Sequence, residues 1–84
     1  MLQNYIQAAI RRAKYEFFPN GGYFYCEIPE CWGVFVKANS IEEAREEIIE
    51  ILEEWLFIRL RKNLDIPIID DIDLNKLEFA DAAN

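Results

Sequence analysis

Pro19-Asn20-Gly21-Gly22 stands between two aromatic-rich runs, Ala13 to Phe18 and Tyr23 to Ile28. Asn and Gly tolerate the positive φ that tight hairpin turns require. The two runs are therefore predicted to pair as antiparallel strands, and the rest of the chain must be arranged around that ribbon. Along the second strand, alternation puts Phe24, Cys26 and Ile28 on one face and Tyr23, Tyr25 and Glu27 on the other. Pro29 ends its ladder, because proline has no N–H to donate. A third strand is predicted from Trp32 or Gly33 to Ala38, completing an antiparallel meander.

Helices flank the meander. Leu2, Tyr5, Ile6, Ala9, Ile10 and Ala13 recur at the spacing of one helix face, which predicts a short amphipathic helix over residues 2–12. Ser40 followed by Glu43 is the capping-box pattern, and a long helix should run from Ile41 to Lys62 or Asn63. Its first half carries a narrow stripe of Ile41, Ala44, Ile48, Leu52 and Trp55. Between Ile51 and Leu60 only Glu53, Glu54 and Arg59 are polar. One sheet can cover one stripe, so the rest must meet another element or another subunit, and Leu56, Phe57 and Leu60 are the candidates for an oligomer interface. Residues 65–69 read as a loop leading into a short extended segment, which Pro67 restricts to a sheet edge or to the first residues of a strand. Residues 70–84 read as an acidic tail whose last five residues fray.

The chain has 84 residues, of which 52% are hydrophobic and 14% aromatic. A single domain of this size cannot easily hide so much apolar surface alone, which again favours a homo-oligomer, dimer or tetramer. The net charge of −7 is concentrated beyond residue 40, where thirteen acids face five bases. Such a chain is a poor ligand for the nucleic-acid backbone and suits a basic partner or simple solubility. Unbroken apolar runs, such as Trp55 to Ile58, are at most four residues long and too short to span a membrane, and the N-terminus lacks the layout of a signal peptide. The expected setting is the cytoplasm, with both thiols reduced.

Reactive groups are few. There is no histidine and no threonine, and the single serine, Ser40, is accounted for by the helix cap. Cys26 shares a strand face with Phe24 and Ile28 and reads as a small core residue. Cys31, in the loop after Pro29, is expected to be more exposed. Two cysteines without histidine do not make a structural zinc site. Asp70, Asp71 and Asp73 lack the glycine and the closing glutamate of a calcium loop and read as a solvated acidic stretch. No enzymatic activity, metal or cofactor is expected.

The order Gly21-Gly22-Tyr23, Glu27-Ile28-Pro29-Glu30, Gly33 and Phe35, then Ser40 with Glu43-Ala44 at the head of an amphipathic helix, resembles the HicB family of type II antitoxins. The resemblance spans roughly residues 13–69. It implies one α+β domain over residues 1–84: an N-terminal helix (1–12), a core (13–69) and the acidic tail (70–84). The core would be a partial ribonuclease-H-like fold, a three-stranded meander with a long helix packed on it and a further short strand. Family members bind and inhibit a small basic HicA toxin that cleaves mRNA. This chain departs from the family loop Pro-x-Leu-Pro-Gly-Cys, since Trp32 stands where a proline is usual. Only fifteen residues follow Ile69, too few for the DNA-binding module that many members carry, so no direct DNA binding is expected.

The sequence therefore reads as a single-domain antitoxin-like protein that neutralises a HicA-type toxin, or as an orphan oligomeric adaptor without a toxin. Tyr23, Tyr25, Glu27 and Trp32 are the candidate partner-binding residues. The tyrosine face could equally pack in a homo-oligomer interface.

Overall fold

The computed structural model describes residues 1–76. Its elements are α1 (Leu2–Arg11), β1 (Lys14–Phe18), β2 (Tyr23–Glu27), β3 (Phe35–Ala38) and α2 (Ile41–Arg61), followed by an irregular segment and a single 3-10 turn, Leu74–Lys76. The strands form one antiparallel sheet in the order β1-β2-β3, an α+β fold. Phe18 lies opposite Tyr23 and Cys26 lies opposite both Tyr15 and Val36. In the hairpin turn, the amides of Gly21 and Gly22 donate to the Phe18 carbonyl at 3.2 and 2.8 Å. A Cβ on Gly21 would stand 2.3 Å from the Tyr23 ring, and Gly22 has a φ of +68°. A side chain at position 21 would have to displace the Tyr23 ring, and position 22 holds a left-handed conformation that glycine adopts without strain.

Helix α2 is closed at both ends by its own sequence. Ser40 Oγ accepts the Glu43 amide at 3.1 Å, while Glu43 Oε1 accepts the Asn39 amide at 3.2 Å. The reciprocal contact thus falls one residue ahead of the usual capping box. At the other end Asn63 adopts a φ of +56°, and Leu64 donates to the Arg59 carbonyl at 2.9 Å. This is a Schellman closure, with asparagine in the left-handed position.

Between these caps Ala44, Ile48, Leu52, Leu56 and Leu60 form a buried stripe at four-residue spacing. It packs on β2 and β3, and α1 adds Tyr5, Ile6, Ala8 and Ala9 to the same core. The expectation that Leu56 and Leu60 serve an oligomer interface is therefore corrected. They are 1% and 8% exposed, because α1 and the inner sheet face take up the broadened part of the helix. Of the three expected interface residues only Phe57, at 55% exposure, presents surface.

The expected further strand is also corrected. After α2 the described chain makes only an isolated bridge, Ile69 with Ile72. Pro67 has no N–H for a ladder. A side chain pairs with the preceding residue instead: Asn75 Oδ1 accepts the Ile66 amide at 2.9 Å, and its Nδ2 donates to the Ile66 carbonyl at 2.8 Å. Residues 70–76 are consequently part of the fold and not a loose acidic tail, and Leu74 is fully buried. The predicted fraying of residues 80–84 lies outside the described residues.

Leu56→Ala should cost about 2–5 kcal/mol of stability, through lost burial and a cavity. Phe57→Ala should change it by less than about 0.5 kcal/mol at concentrations where the chain is monomeric. Urea denaturation of both variants checks the contrast, and similar losses would show that Phe57 is a core residue.

Candidate partner-binding surface

Opposite residues of an antiparallel pair share a face. The register therefore turns Tyr15, Phe17, Phe24, Cys26, Val36 and Ala38 to the side where α2 packs. The other side carries Lys14, Glu16, Phe18, Tyr23, Tyr25, Glu27, Phe35 and Lys37, and none of these eight is buried. A sheet face rich in aromatics is thus left open to solvent.

Its rings lock one another in place. Phe18 stacks on Tyr23 with centroids 5.2 Å apart and meets Tyr25 edge-on at 6.3 Å. Tyr25 stacks with Phe35 of β3 at 6.0 Å, so the aromatic row crosses all three strands. The Lys37 ammonium lies 4.5 Å from the centroid of the Tyr23 ring. The Tyr25 hydroxyl donates to Glu27 at 3.0 Å. Its pKa is raised, first by desolvation and then by that hydrogen bond, so it stays a neutral donor. Aromatic pairs at these separations are worth about 0.5–1.5 kcal/mol beyond their buried area. The surface is therefore held in shape before any partner arrives.

Beyond the end of β2 the chain turns twice between Ile28 and Val34. Cys31 donates its amide to Ile28 at 3.0 Å, Val34 to Cys31 at 2.9 Å, and Ile28 to Val34 at 3.1 Å. Gly33 has a φ of +97°, a conformation that side-chain-bearing residues rarely adopt. Trp32, at the tip, is 84% exposed, the most exposed large apolar side chain described. Beneath it Cys31 is fully buried, which corrects the expectation of an accessible thiol. Cys31 sits 4.0 Å from the hydroxyl of Tyr5, which itself donates to the Pro67 carbonyl at 2.6 Å. Burial is the main reason that the Cys31 thiol is pushed up to about 11, and it raises the thiol of Cys26 as well.

An ion cluster clamps the same loop from outside. Arg12 bridges Glu30 at 3.0 Å and Asp70 at 2.7 Å, with Arg11 3.6 Å from Asp70. Asp70 is held below the usual carboxylate range chiefly by Arg12, and Glu30 is lowered by a backbone hydrogen bond and by Arg12. Because both folded-state values are depressed, the clamp contributes fully above the ordinary carboxylate range. That contribution is lost as pH falls through the folded values. Asp70 is thus a structural partner of Arg12, and Asp73 Oδ1 accepts from the backbone and side chain of Asn75. Among the described residues no cluster of three or more acids or thiols is arranged to hold a metal.

The sequence-predicted residues thus fall in two places. Tyr23, Tyr25 and Glu27 lie in one row on the open face, and Trp32 stands apart on the loop that joins β2 to β3. Phe18, Phe35 and Lys37 complete the face and were not singled out from sequence. Their signal was the alternation of β1 and β3, readable only once the strand register is known.

The sequence profile of UPF0150-like proteins matches residues 4–67, from the first turn of α1 to the carbonyl that receives the Tyr5 hydrogen bond. The chain belongs to the UPF0150-like family. Its fold is similar to the crystal structure of TTHA0281 from Thermus thermophilus, with a TM-score of 0.80, 28% identity and 93% of each chain covered. No curated protein matches this chain at a significant level. Among the described residues of this UPF0150-like protein, no helix is long and apolar enough to cross a membrane.

Neither thiol should react with iodoacetamide in the folded protein at mildly alkaline pH, and both should react once it is unfolded in urea. Mass spectrometry of the labelled chain reads the result, and rapid native labelling of Cys31 would contradict the packing of the loop against Tyr5.

Proposed function

We propose that this UPF0150-like protein is an antitoxin-type inhibitor that binds a small, basic, mRNA-cleaving toxin of the HicA type. The open aromatic face and the Trp32 loop would form the binding surface. Family membership is consistent with small toxin–antitoxin-like proteins. The observation that carries the reading is the aromatic row across three strands, exposed yet ordered by its own contacts. Rigid tyrosine and tryptophan side chains are the usual anchors of protein interfaces, because they bury much area at low entropic cost.

Charge supports the same partner. Helix α2 carries seven glutamates against three arginines. A toxin that grips RNA phosphates must present a basic surface. An acidic protein meets such a surface faster, an effect screened over a Debye length of about 10 Å at 0.1 M salt. In this reading the chain inhibits by occupying that surface and performs no chemistry of its own. Its thiols are buried and Ser40 is engaged in a cap.

This reading requires a small basic toxin encoded beside it; co-expression of the two should restore growth and yield a complex that co-purifies. Tyr25→Ala and Trp32→Ala should each speed dissociation at least about tenfold while leaving the encounter rate nearly unchanged. Absence of both complex and rescue, with a toxin shown to be active, would favour an orphan oligomeric adaptor.

A further inference from the structure

The surface that points to a second copy of this chain is the free edge of β1. Helix α2 packs chiefly on β2 and β3, and Phe17, on the inner side of β1, is left 50% exposed. β1 is also an outer strand of an open sheet. An edge of this kind exposes unpaired backbone groups, a ready template for pairing with another chain.

Which backbone groups are free follows from the ladder. Ile28 donates to the opposite Val34, so these two form a hydrogen-bonded pair. Such pairs alternate along antiparallel strands. The backbone of Cys26 therefore faces β3, that of Tyr25 and Glu27 faces β1, and Glu16 and Lys14 answer them. The N–H and C=O groups of Tyr15 and Phe17 consequently point away from the sheet.

We propose that this protein self-associates through β1, two copies pairing antiparallel about a twofold axis at Tyr15 to make one six-stranded sheet. In that register Tyr15 faces Tyr15 of the second copy and Phe17 faces Ala13. Lys14 faces Glu16 in a non-hydrogen-bonded pair, where side chains approach most closely, with Cα atoms about 4.5 Å apart. Two opposite-charge pairs therefore form across the seam. The neighbouring registers do less well. Centring on Glu16 sets two like charges against each other, and centring on Phe17 brings Pro19, which has no N–H, opposite Tyr15. The Ala13 amide is already donated to Ile10 at 3.1 Å, which leaves four backbone hydrogen bonds across the seam. The proposal is independent of the toxin reading, since β1 forms an edge and not the open face.

Sedimentation of Lys14→Glu, Glu16→Lys and their double exchange tests it, with circular dichroism to confirm folding. The wild type should run at twice 10.0 kDa. Each single variant should self-associate about tenfold more weakly, since two cross-strand pairs turn from attractive to repulsive. An equimolar mixture of the two single variants should restore the dimer, because every pair is then again of opposite charge, and the double exchange should also restore it. A wild-type monomer at near-millimolar concentration, or single variants that dimerise as well as the wild type, would overturn the proposal. Hydrogen exchange on the wild type gives a test free of substitutions. The amides of Tyr15 and Phe17 should become protected as concentration rises, and fast exchange at both ends of the range would also overturn it.

Discussion

The hydroxyl of Tyr5 has one strong acceptor, the Pro67 carbonyl at 2.6 Å, and one soft neighbour, the thiol of Cys31. Those three residues come from the first helix, the loop between β2 and β3, and the segment beyond α2. Tyr5 is fully buried, and a buried hydroxyl must find a partner or impose a desolvation cost of about 1–3 kcal/mol. Meeting that need fixes the N-terminal helix against both distant segments. Arg12, the C-cap of the same helix, repeats the connection at the surface through Glu30 and Asp70. The inner contact is apolar and hydrogen-bonded, the outer one ionic, and both hold the same loop.

What this arrangement supports is surface geometry. Trp32 projects from a loop whose neighbour, Cys31, is anchored in the core. The open face, separately, is kept in register by the ladder and by its stacked rings. A sheet with helices on one side only has one solvated face, and such faces are normally polar. Here four aromatics share it with four charged residues, and the aromatics are the part that solvation alone does not call for. The acidic exterior of α2 lies on the opposite side of the sheet. It acts through the field around the molecule more than through direct contact.

Much of this was legible in the sequence, for identifiable reasons. The hairpin followed from Asn20-Gly21-Gly22, the faces of β2 from strict alternation, and the start of α2 from Ser40 and Glu43. These are local signals, written within a few residues. The errors arose where the outcome depended on distant partners. Leu56 and Leu60 read as surplus apolar surface because a linear pattern does not reveal that α1 covers them. Cys31 read as exposed because its burial is created by Tyr5, twenty-six positions away. The further strand failed because a side chain, Asn75, took the place of a strand backbone at Ile66. Phe18, Phe35 and Lys37 joined the open face through register, which alternation alone does not supply.

The central claim is that the fold holds its aromatic surface and the Trp32 loop in a fixed shape in the free protein. Backbone 15N relaxation of residues 28–34 tests it most directly. The account predicts order parameters of about 0.85, equal to those of the strands. Values below about 0.6 across this loop would contradict it, because the loop would then be mobile despite Tyr5, Cys31 and Arg12.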